Sequence, residues 1–383
     1  MNKIYMDHAA STPVHPLVAE EMLRVMTGTY GNASSVHAFG RDAKRIVSSA
    51  REQIAAAIGA KPADLVFTSG GTESDNAALF GAAAARAEHG RHLLVSEVEH
   101  HAVLHAAESL AEQGFEVEYI PVDTLGRVSV DWIREHTRPD TALISVMLAN
   151  NEVGTIQPVR EIGAFARERG VWFHTDAVQA LGSLPIDCAD LNADLISFSA
   201  HKINGPQGIG ALYVAPGIKL PALLRGGNQE RKRRAGTENL AGMAGFAAAV
   251  ELAVSDPQAR RARTLALRAQ LLDGLSAAIG ESSFVVNGDP DHHLDHIVNV
   301  SFPAVGTETM LMNLDMAGIA VASGSACTSG SLETSHVLRA MNLPENVLNS
   351  AIRFSFGLGN NSEEIETVVK TIETIMNRVR MKR

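Results

Sequence analysis

Residues 194–214 read DLISFSAHKINGPQGIGALYV, and this stretch decides the class of fold. The mainly apolar run 194–198 predicts a β-strand that ends just before His201, Lys202 and a glycine-rich loop. A second run, VWFHTD at 171–176, predicts another strand ending at Asp176. Because the carboxyl ends of parallel strands meet at one edge of a sheet, we expect Lys202 and Asp176 to lie close together.

A lysine amine beside a carboxylate is the pair that pyridoxal 5'-phosphate (PLP) requires. The amine of Lys202 can bond covalently to the cofactor's aldehyde, and the carboxylate of Asp176 can keep the pyridine nitrogen protonated, so that the ring accepts electrons. The sequence therefore predicts a PLP site at this edge of the sheet.

The rest of the chain extends this pattern in two parts. Short apolar runs alternate with helix-like segments such as 75–88 and 159–168 between residues 65 and 214, which predicts an α/β fold with a mostly parallel sheet. After residue 237 come two helical stretches, strand-like FVVNG, HIVNVSF and AIRFSF, and a terminal helix. Since 383 residues exceed the usual size of one core, we predict a large PLP-binding domain of residues 14–255 and a smaller α+β domain of residues 1–13 and 256–383.

Composition excludes several classes of protein. The chain is 45% hydrophobic and 20% charged, and its net charge of -10 argues against nucleic-acid binding. No apolar stretch is long enough to span a bilayer, and MNKIYMDHAASTP lacks the apolar core of a secretory signal, so we expect a cytoplasmic location without membrane contact. Two cysteines cannot form a disulfide framework or a four-cysteine zinc site. Cys188 ends an apolar run and is predicted to be a buried structural thiol.

Two segments have alternative interpretations. Residues 65–85 predict a strand, a turn and a helix whose start, at Gly71 and Thr72, can bind a phosphate. A capping box between Thr72 and Asp75 explains the same pattern equally well. The basic run 231–234 is either a solvated loop or a source of positive potential around a phosphate.

Polar side chains after other strands are candidates for ring contacts. His100 can stack on a planar ring or move a proton, and Asn150, Asn151 and Gln179 can donate amide hydrogens, although each is also an ordinary loop residue. The helical spacing of His101 and His105 lacks the glutamate of a zinc protease. A solvated face is therefore the preferred interpretation for both, and likewise for His292, His293 and His296.

Cys327 lies in ASGSACTSGS, whose small and hydroxylic residues cannot pack a core and therefore indicate an exposed, adaptable loop. A thiolate is the strongest ordinary nucleophile among side chains, so we favour a nucleophile over an incidental surface cysteine.

Nine motifs in order along nearly the whole chain together resemble the cysteine desulfurases of the NifS/IscS-like group. The most specific is the cysteine loop joined to SLETSHVL, which plain aminotransferases do not show. The motifs are YMDHAAST, YGNASSVHAFG, SGGTESDN, EHHAVL, NNEVGT, HTDAVQ, SFSAHKINGPQGIG, GGNQERKRRAGTEN and SGSACTSGSLETSHVLRAM.

The resemblance implies a PLP-dependent homodimer of the aspartate aminotransferase fold, known as fold type I. Such an enzyme converts L-cysteine to L-alanine and leaves a persulfide on Cys327, which passes to a sulfur-acceptor or iron-sulfur scaffold protein. No metal is implied, apart from Cys327 as a transient iron-sulfur ligand together with a scaffold. The pathway remains open among nitrogenase clusters, general iron-sulfur assembly and thiolation of tRNA or cofactors.

The resemblance also implies roles for individual residues. Lys202 would hold the cofactor and move the Cα proton, and Cys327 would attack the substrate sulfur. Asn32 and Arg353 would bind the substrate carboxylate. The remaining cofactor contacts would be His100 stacked on the ring, Asp176 at the pyridine nitrogen, Asn151 and Gln179 at the ring oxygen, Gly71, Thr72, Ser199 and His201 at the phosphate, and Thr237 reaching the phosphate from the other subunit.

Other functions agree less well with the sequence. Another PLP lyase, such as a selenocysteine lyase or a cysteine sulfinate desulfinase, would use the same Lys202 and Asp176, but the cysteine loop disfavours it. A non-catalytic sulfur or iron-cluster scaffold needs more thiolates than one loop cysteine supplies. A nicotinamide-binding module would need a GxGxxG turn after its first strand, which the chain lacks.

Overall fold

The computed structural model describes residues 3–324 and 334–380. The strands are β1 Ile4–Tyr5, β2 Leu65–Thr68, β3 His92–Ser96, β4 Glu116–Ile120, β5 Thr141–Ser145, β6 Trp172–Asp176, β7 Leu195–Ser199, β8 Gly210–Val214, β9 Val285–Asn287, β10 Ile297–Ser301, β11 Ile319–Ala320 and β12 Ala351–Ser355. The helices are α1 Pro16–Gly28, α2 Ala38–Ala57, α3 Gly71–Arg86, α4 His101–Glu112, α5 Val130–His136, α6 Val159–Arg169, α7 Leu240–Ser255, α8 Pro257–Ile279, α9 Thr307–Met316, α10 His336–Ala340, α11 Glu345–Leu348 and α12 Ser362–Arg380.

A seven-stranded sheet in the order β2-β8-β7-β6-β5-β3-β4 forms the centre of the large part of the molecule. Strands β4, β3, β5, β6 and β7 run parallel to one another, and β8 is antiparallel to both β7 and β2. Its strands read as continuous apolar runs because helices cover both faces of the sheet. The predicted α/β fold with a mostly parallel sheet is confirmed.

A second, smaller sheet has the antiparallel order β12-β10-β9, and the short strand β1 pairs in parallel with β11. Met6, Leu271, Phe354 and Ile372 lie in one separate apolar core, so the start of the chain packs with its last third. Helix α7 ends at Ser255 and α8 begins at Pro257, with Asp256 between them capping α8 through its contact with Ala259 N at 3.0 Å. The domain boundaries at 13/14 and 255/256 stay a prediction, although residues of α10 pack against the large core.

The local sequence pattern predicts where most of the strands and helices begin and end. The two predicted strands at the active edge are β6 and β7, and the strand-like segments near the end of the chain are β9, β10 and β12. Helix α3 begins at Gly71 rather than at residue 75. No helix within residues 3–324 and 334–380 is long and apolar enough to cross a membrane.

Candidate active site

The ends of β6 and β7 lie side by side, as the sequence predicts. Asp176 is the last residue of β6 and pairs with Ser197 of β7. Strand β7 ends at Ser199, and a single 3-10 turn then carries Ala200 to Lys202. Both strand ends line a cavity of about 200 Å³, which brings an amine and a carboxylate to one wall.

The structure brings most of the predicted site residues to this cavity. Asn32 and Thr237 do not line it; both are exposed, the first between α1 and α2 and the second ahead of α7. Cys327 lies outside the described residues. The predicted residues that line the cavity are Gly71, Thr72, His100, Asn151, Asp176, Gln179, Ser199, His201, Lys202 and Arg353.

The amine of Lys202 is held against the segment that follows β1. Its Nζ donates to the carbonyl oxygens of Ala9 at 2.5 Å and Ala10 at 2.9 Å. Gln179 Nε2 donates to the same Ala9 oxygen at 2.8 Å. The N-terminal segment, which packs with the small core, therefore forms one wall of the cavity.

The carboxyl group of Asp176 is buried in the wall of the cavity. The residue is 6% exposed, and its Oδ1 accepts from Val178 N at 2.8 Å. Burial raises the pKa of this carboxyl to about 6, although the Val178 hydrogen bond and the charge of Lys202 lower it. A cationic group placed beside the carboxylate would restore its charged form.

Two further buried carboxyls, Asp75 and Glu99, lie near Asp176. Burial raises the pKa of each, and the charge of Asp176 raises it further. Asp75 Oδ1 and Glu99 Oε2 have no hydrogen-bond partner among the described residues. Sequence reasoning missed the role of both, because only the folded chain shows that they face a third carboxyl.

His100 and His201 are both uncharged at neutral pH. His100 caps α4 by accepting from Ala102 N at 3.1 Å, and His201 Nδ1 lies 3.2 Å from Ser11 Oγ. Burial first, and then the charge of Lys202, lowers the pKa of each ring to about 4. Both rings can therefore stack or form hydrogen bonds without adding positive charge to the cavity.

The start of α3 excludes the capping-box interpretation. Its N-cap is Gly70, no described side chain caps it, and Thr72 lies inside the first turn. Asp75 lies in the cavity wall, and Glu73 reaches back instead, accepting from Ser69 N at 2.7 Å. The first-turn N–H groups thus stay available to an anion. A Cβ at Gly71 would lie 2.9 Å from Val178 Cγ2, so this close approach requires glycine.

Arg353 of β12 reaches the cavity from the small core and is 1% exposed. Its Nη1 donates to Asn151 O at 2.9 Å, and its Nη2 pairs with Asp7 Oδ1 at 2.8 Å. Its Nε has no partner among the residues described and is one of the donors left for a ligand carboxylate. Asp7 was missed, although the motif at residues 5–12 contains it.

Several predictions for other polar residues are wrong. Asn150 is not a cavity residue; its Oδ1 accepts from the N–H groups of Glu152 at 2.8 Å and Val153 at 2.9 Å, which fixes the turn that presents Asn151. His296 is half-buried and lines a second cavity, and the side chain of His293 is only 14% exposed. A solvated face is right for His292 alone of these three.

The other histidines after β3 also form more contacts than predicted. His101 packs between the rings of His105 and His336, with centroid distances of 5.1 and 4.7 Å, and only His105 is exposed. In the described ranges, no group of three or more His, Cys, Asp or Glu side chains could hold a metal ion.

The basic run 231–234 is neither a fully solvated loop nor a patch of unpaired positive charges. Arg234 pairs with Glu73 at 2.9 Å, Arg233 donates to the Ala63 carbonyl, and Glu230 just before the run is buried. Cys188 is 1% exposed, and burial raises the pKa of its thiol to about 12, which confirms the predicted buried thiol.

Comparison with known proteins identifies the class. Residues 4–368 match the family model described as aminotransferase class-V, and the chain belongs to that family of PLP-dependent enzymes. It is 49% identical to a putative cysteine desulfurase IscS 1 of Bacillus subtilis, over 99% of this chain and 100% of that protein. It is 47% identical to the cysteine desulfurase IscS of Methanosarcina thermophila, over 98% and 93%. Similarity along the full length places the chain in the cysteine desulfurase group of the family.

Solved structures agree with this assignment. A NifS-like protein aligns with a TM-score of 0.92 at 35% identity, covering 98% of this chain and 100% of that one. SspA in complex with cysteine aligns with a TM-score of 0.80 at 36% identity, covering 93% and 99%. The fold is therefore that of the PLP-dependent fold type I enzymes.

The residues around the cavity fit PLP. The cofactor needs an amine for its aldehyde, a carboxylate for its ring nitrogen and donors for its phosphate. Lys202 and Asp176 supply the first two, and the start of α3 with Ser199 and His201 supplies the third.

Proposed function

We propose that the chain removes sulfur from L-cysteine, forming L-alanine and a persulfide on Cys327. The observation that carries the proposal is the convergence of Lys202, Asp176 and Arg353 on one cavity. Bound PLP supplies an electron sink for the carbanion that forms when the substrate Cα loses its proton. The remaining chemistry falls to the side chains of this protein.

Lys202 and Asp176 have complementary roles in this scheme. Lys202 Nζ would anchor the cofactor aldehyde and carry the substrate Cα proton. Asp176 would hold the proton of the ring nitrogen, and Asn151 and Gln179 would contact the ring oxygen side. His100 would stack on the ring, and its lowered pKa would keep it neutral there.

The phosphate and the substrate bind at separate parts of the cavity. Gly71, Thr72, Ser199 and His201 bind the phosphate, with Thr237 of a second subunit. Arg353 binds the substrate carboxylate through its Nε, and Asn32 assists. The thiolate of Cys327 would attack the substrate sulfur, so that an S–S bond forms as the Cβ–S bond breaks. The electron pair of the broken bond stays with the carbon skeleton, which takes up a proton at Cβ, regains the Cα proton from Lys202 and leaves as alanine.

The Lys202→Ala variant tests the assignment of the anchor. The variant should lose all turnover, and PLP should leave it on gel filtration because only noncovalent contacts remain. Lys219→Ala, at a lysine outside the cavity, is the control. Wild-type turnover in Lys202→Ala would overturn the proposal.

The Cys327→Ser variant tests the sulfur step separately. It should retain PLP and bind cysteine, which is seen as a change in the cofactor absorbance, but it should form no alanine and no persulfide. The control is Cys188→Ser, which should lose stability rather than the sulfur step, since this thiol is buried. Normal alanine formation in Cys327→Ser would favour a lyase that releases sulfur without a protein persulfide.

We also propose a homodimer. Large apolar side chains are exposed along α1 and the start of α2, which is unusual for a monomer. They are Leu17, Leu23, Met26, Tyr30, Val36 and Phe39, with exposed fractions from 54% to 91%. Light scattering should give twice the chain mass of 40.7 kDa.

The acceptor is proposed to be a sulfur-acceptor or iron-sulfur scaffold protein. A reactive free thiol suits a reducing compartment, which supports the cytoplasm as the location. Transfer of labelled sulfur from the loaded enzyme to purified candidate acceptors, compared with the Cys327→Ser enzyme, tests the first point.

A further inference from the structure

A second cavity, of about 370 Å³, lies between the two cores. Its walls come from the N-terminal segment at His8, the junction of α7 and α8, the residues before β10 and those after β12. Lys202 lines both cavities, so the two cavities adjoin at this residue. A volume of this size is in the range of small-molecule sites.

Arg260 in the first turn of α8 is the central charged group of this cavity. The residue is half-buried, and its guanidinium forms neither a hydrogen bond nor an ion pair with any side chain or carbonyl of the described residues. Burial lowers its pKa, as expected for a charge that has lost water without gaining a partner.

The neighbouring rings add further donors. His8 is 4% exposed, and its Nδ1 has no partner within the described part of the chain. His296 Nδ1 lies 3.4 Å from Ser183 Oγ. Burial is the main reason that the pKa of both rings is low, and the charge of Arg260 lowers both further, which places the three groups together.

The acidic residues in the wall have other partners. Asp295 accepts from Arg261 Nε at 2.9 Å, and Asp256 caps α8 at Ala259 N. Neither carboxylate forms an ion pair with Arg260 among the described residues. A partly buried guanidinium without a counter-ion is costly, and an anion with two oxygens would match its planar donors.

We propose that this cavity binds a small oxyanion, a carboxylate or a phosphate, through Arg260, with His8 and His296 beside it. The site is distinct from the PLP cavity and does not depend on the proposed desulfurase reaction. A bound anion would link the two cores, because residues of both form the walls.

Calorimetric titration of the PLP-loaded enzyme tests the proposal, since the cofactor then occupies the first cavity. Inorganic phosphate and malonate are titrated in separate experiments, each at constant ionic strength maintained with sodium chloride. We expect one site per chain for at least one of them, with unchanged cofactor absorbance. Whichever anion binds identifies the ligand class.

Arg260→Gln should weaken that binding at least ~10-fold. Arg268→Gln is the matched control, because Arg268 lies on the same helix but outside the cavity and donates to Ile297 O at 2.8 Å. Its affinity should stay within about twofold of the parent. Arg260→Lys keeps the charge without the planar donors and should bind with intermediate affinity.

Three results would overturn the proposal. They are no heat of binding for either anion, an Arg260→Gln affinity equal to that of the parent, or equal losses in the Arg260 and Arg268 variants. The melting temperature and cofactor content of each variant distinguish a lost site from a lost fold. If Arg260→Gln does not fold, the same conclusions follow from Arg260→Lys.

Discussion

The buried carboxyl of Asp176 lowers the stability of the apoprotein at neutral pH. Its carboxyl is buried, and its pKa in the folded chain, about 6, lies above the ordinary 3.8. The folded state therefore binds more protons than the unfolded state between these two values. The contribution of Asp176 to stability falls as the pH rises through that window, and it is least favourable at neutral pH.

Asp176→Asn should stabilise the apoprotein at neutral pH by ~1–3 kcal/mol, because the amide keeps an acceptor for Val178 N without a buried charge. The gain should shrink as the pH is lowered below the pKa of the carboxyl. PLP affinity should fall sharply in the same variant, since the ring nitrogen loses its partner. Urea unfolding of apoprotein and equilibrium dialysis of PLP measure the two effects.

Asp194→Asn is the matched control for this prediction. Asp194 also has a raised pKa caused by burial and also accepts a backbone hydrogen bond, from Phe173 N at 2.8 Å, but it lies outside the cavity. Its PLP affinity should not change. Equal losses of PLP in both variants would contradict the assigned role of Asp176.

The sequence was sufficient to place residues whose position depends on one strand end. Lys202 and Asp176 could be predicted because an apolar run ends just before each functional position. Asp7, Asp75 and Glu99 could not, because their burial depends on segments distant in the chain. His296 was misjudged for the same reason: its environment is made by α8 and the N-terminal segment.

Among the elements, strand β2 has an edge that needs protection. It lies at the end of the sheet, and an unpaired edge can pair with other chains. Arg51 Nη1 donates to Leu65 O at 2.6 Å, and Glu230 accepts from Phe67 N at 2.9 Å. Arg51 and Glu230 also pair at 2.5 Å with side chains only 11% and 4% exposed, so this ion pair covers the edge.

Glu230→Ala should destabilise the protein by ~3–5 kcal/mol, because it removes the counter-charge of the buried Arg51 and leaves Phe67 N without an acceptor. The turn that precedes Thr237 should loosen as well. Glu21→Ala is the control; Glu21 pairs with Arg24 at 2.6 Å on the surface, and its loss should cost less than ~1 kcal/mol. Denaturant unfolding measures both, and equal costs would show that burial of the pair is unimportant.

Glu152 connects the two ends of the cysteine segment. Residues 325–333 lie outside the described residues, but Ser335 Oγ donates to Glu152 Oε2 at 2.5 Å. On the other side, a Cβ at Gly324 would lie 3.1 Å from the same oxygen. Glu152 is 1% exposed, so its buried carboxylate binds one flank through Ser335 and lies next to the other at Gly324.

Glu152→Gln should therefore slow persulfide formation ~10-fold or more while PLP content stays normal, since a charge-assisted hydrogen bond is about twice as strong as a neutral one. Ser335→Ala should change the rate in the same direction. Exposed Glu135→Gln is the control. Single-turnover persulfide formation is the measurement, and an unchanged rate in Glu152→Gln would show that the flanks need no such contact.

At the scale of the whole molecule, the described residues form apolar cores in the large and the small part and leave an exposed apolar surface on α1, the segment after it and the start of α2. The alternation of strands and helices around the large sheet could be predicted from the sequence because each buried strand is a continuous apolar run. The strand pair β1–β11 could not be predicted, because strands of two residues are too short to show an alternating apolar pattern and the two strands lie more than 300 positions apart. Likewise, the exposure of the apolar surface cannot be predicted until the packing of the helices is known.

If that surface forms a homodimer, stability must depend on protein concentration. The melting temperature of the parent should rise when the protein concentration is raised a hundredfold. Met26→Asp, at a residue 66% exposed in the chain, should remove this dependence without disturbing either core. Asp substitution at Met316, exposed on the small domain at 80%, is the control and should keep it. A concentration-independent parent would contradict the dimer.

Because Cys188 is buried, the protein is suited to site-specific labelling of its other cysteine. Only two cysteines exist, and the pKa of about 12 leaves Cys188 almost entirely as the unreactive thiol at neutral pH. Any maleimide or iodoacetamide probe that reacts with the native protein therefore reports Cys327. The alkylated thiol can no longer accept sulfur, so turnover should fall in proportion to the label bound, up to one label per chain, if all of the sulfur passes through Cys327.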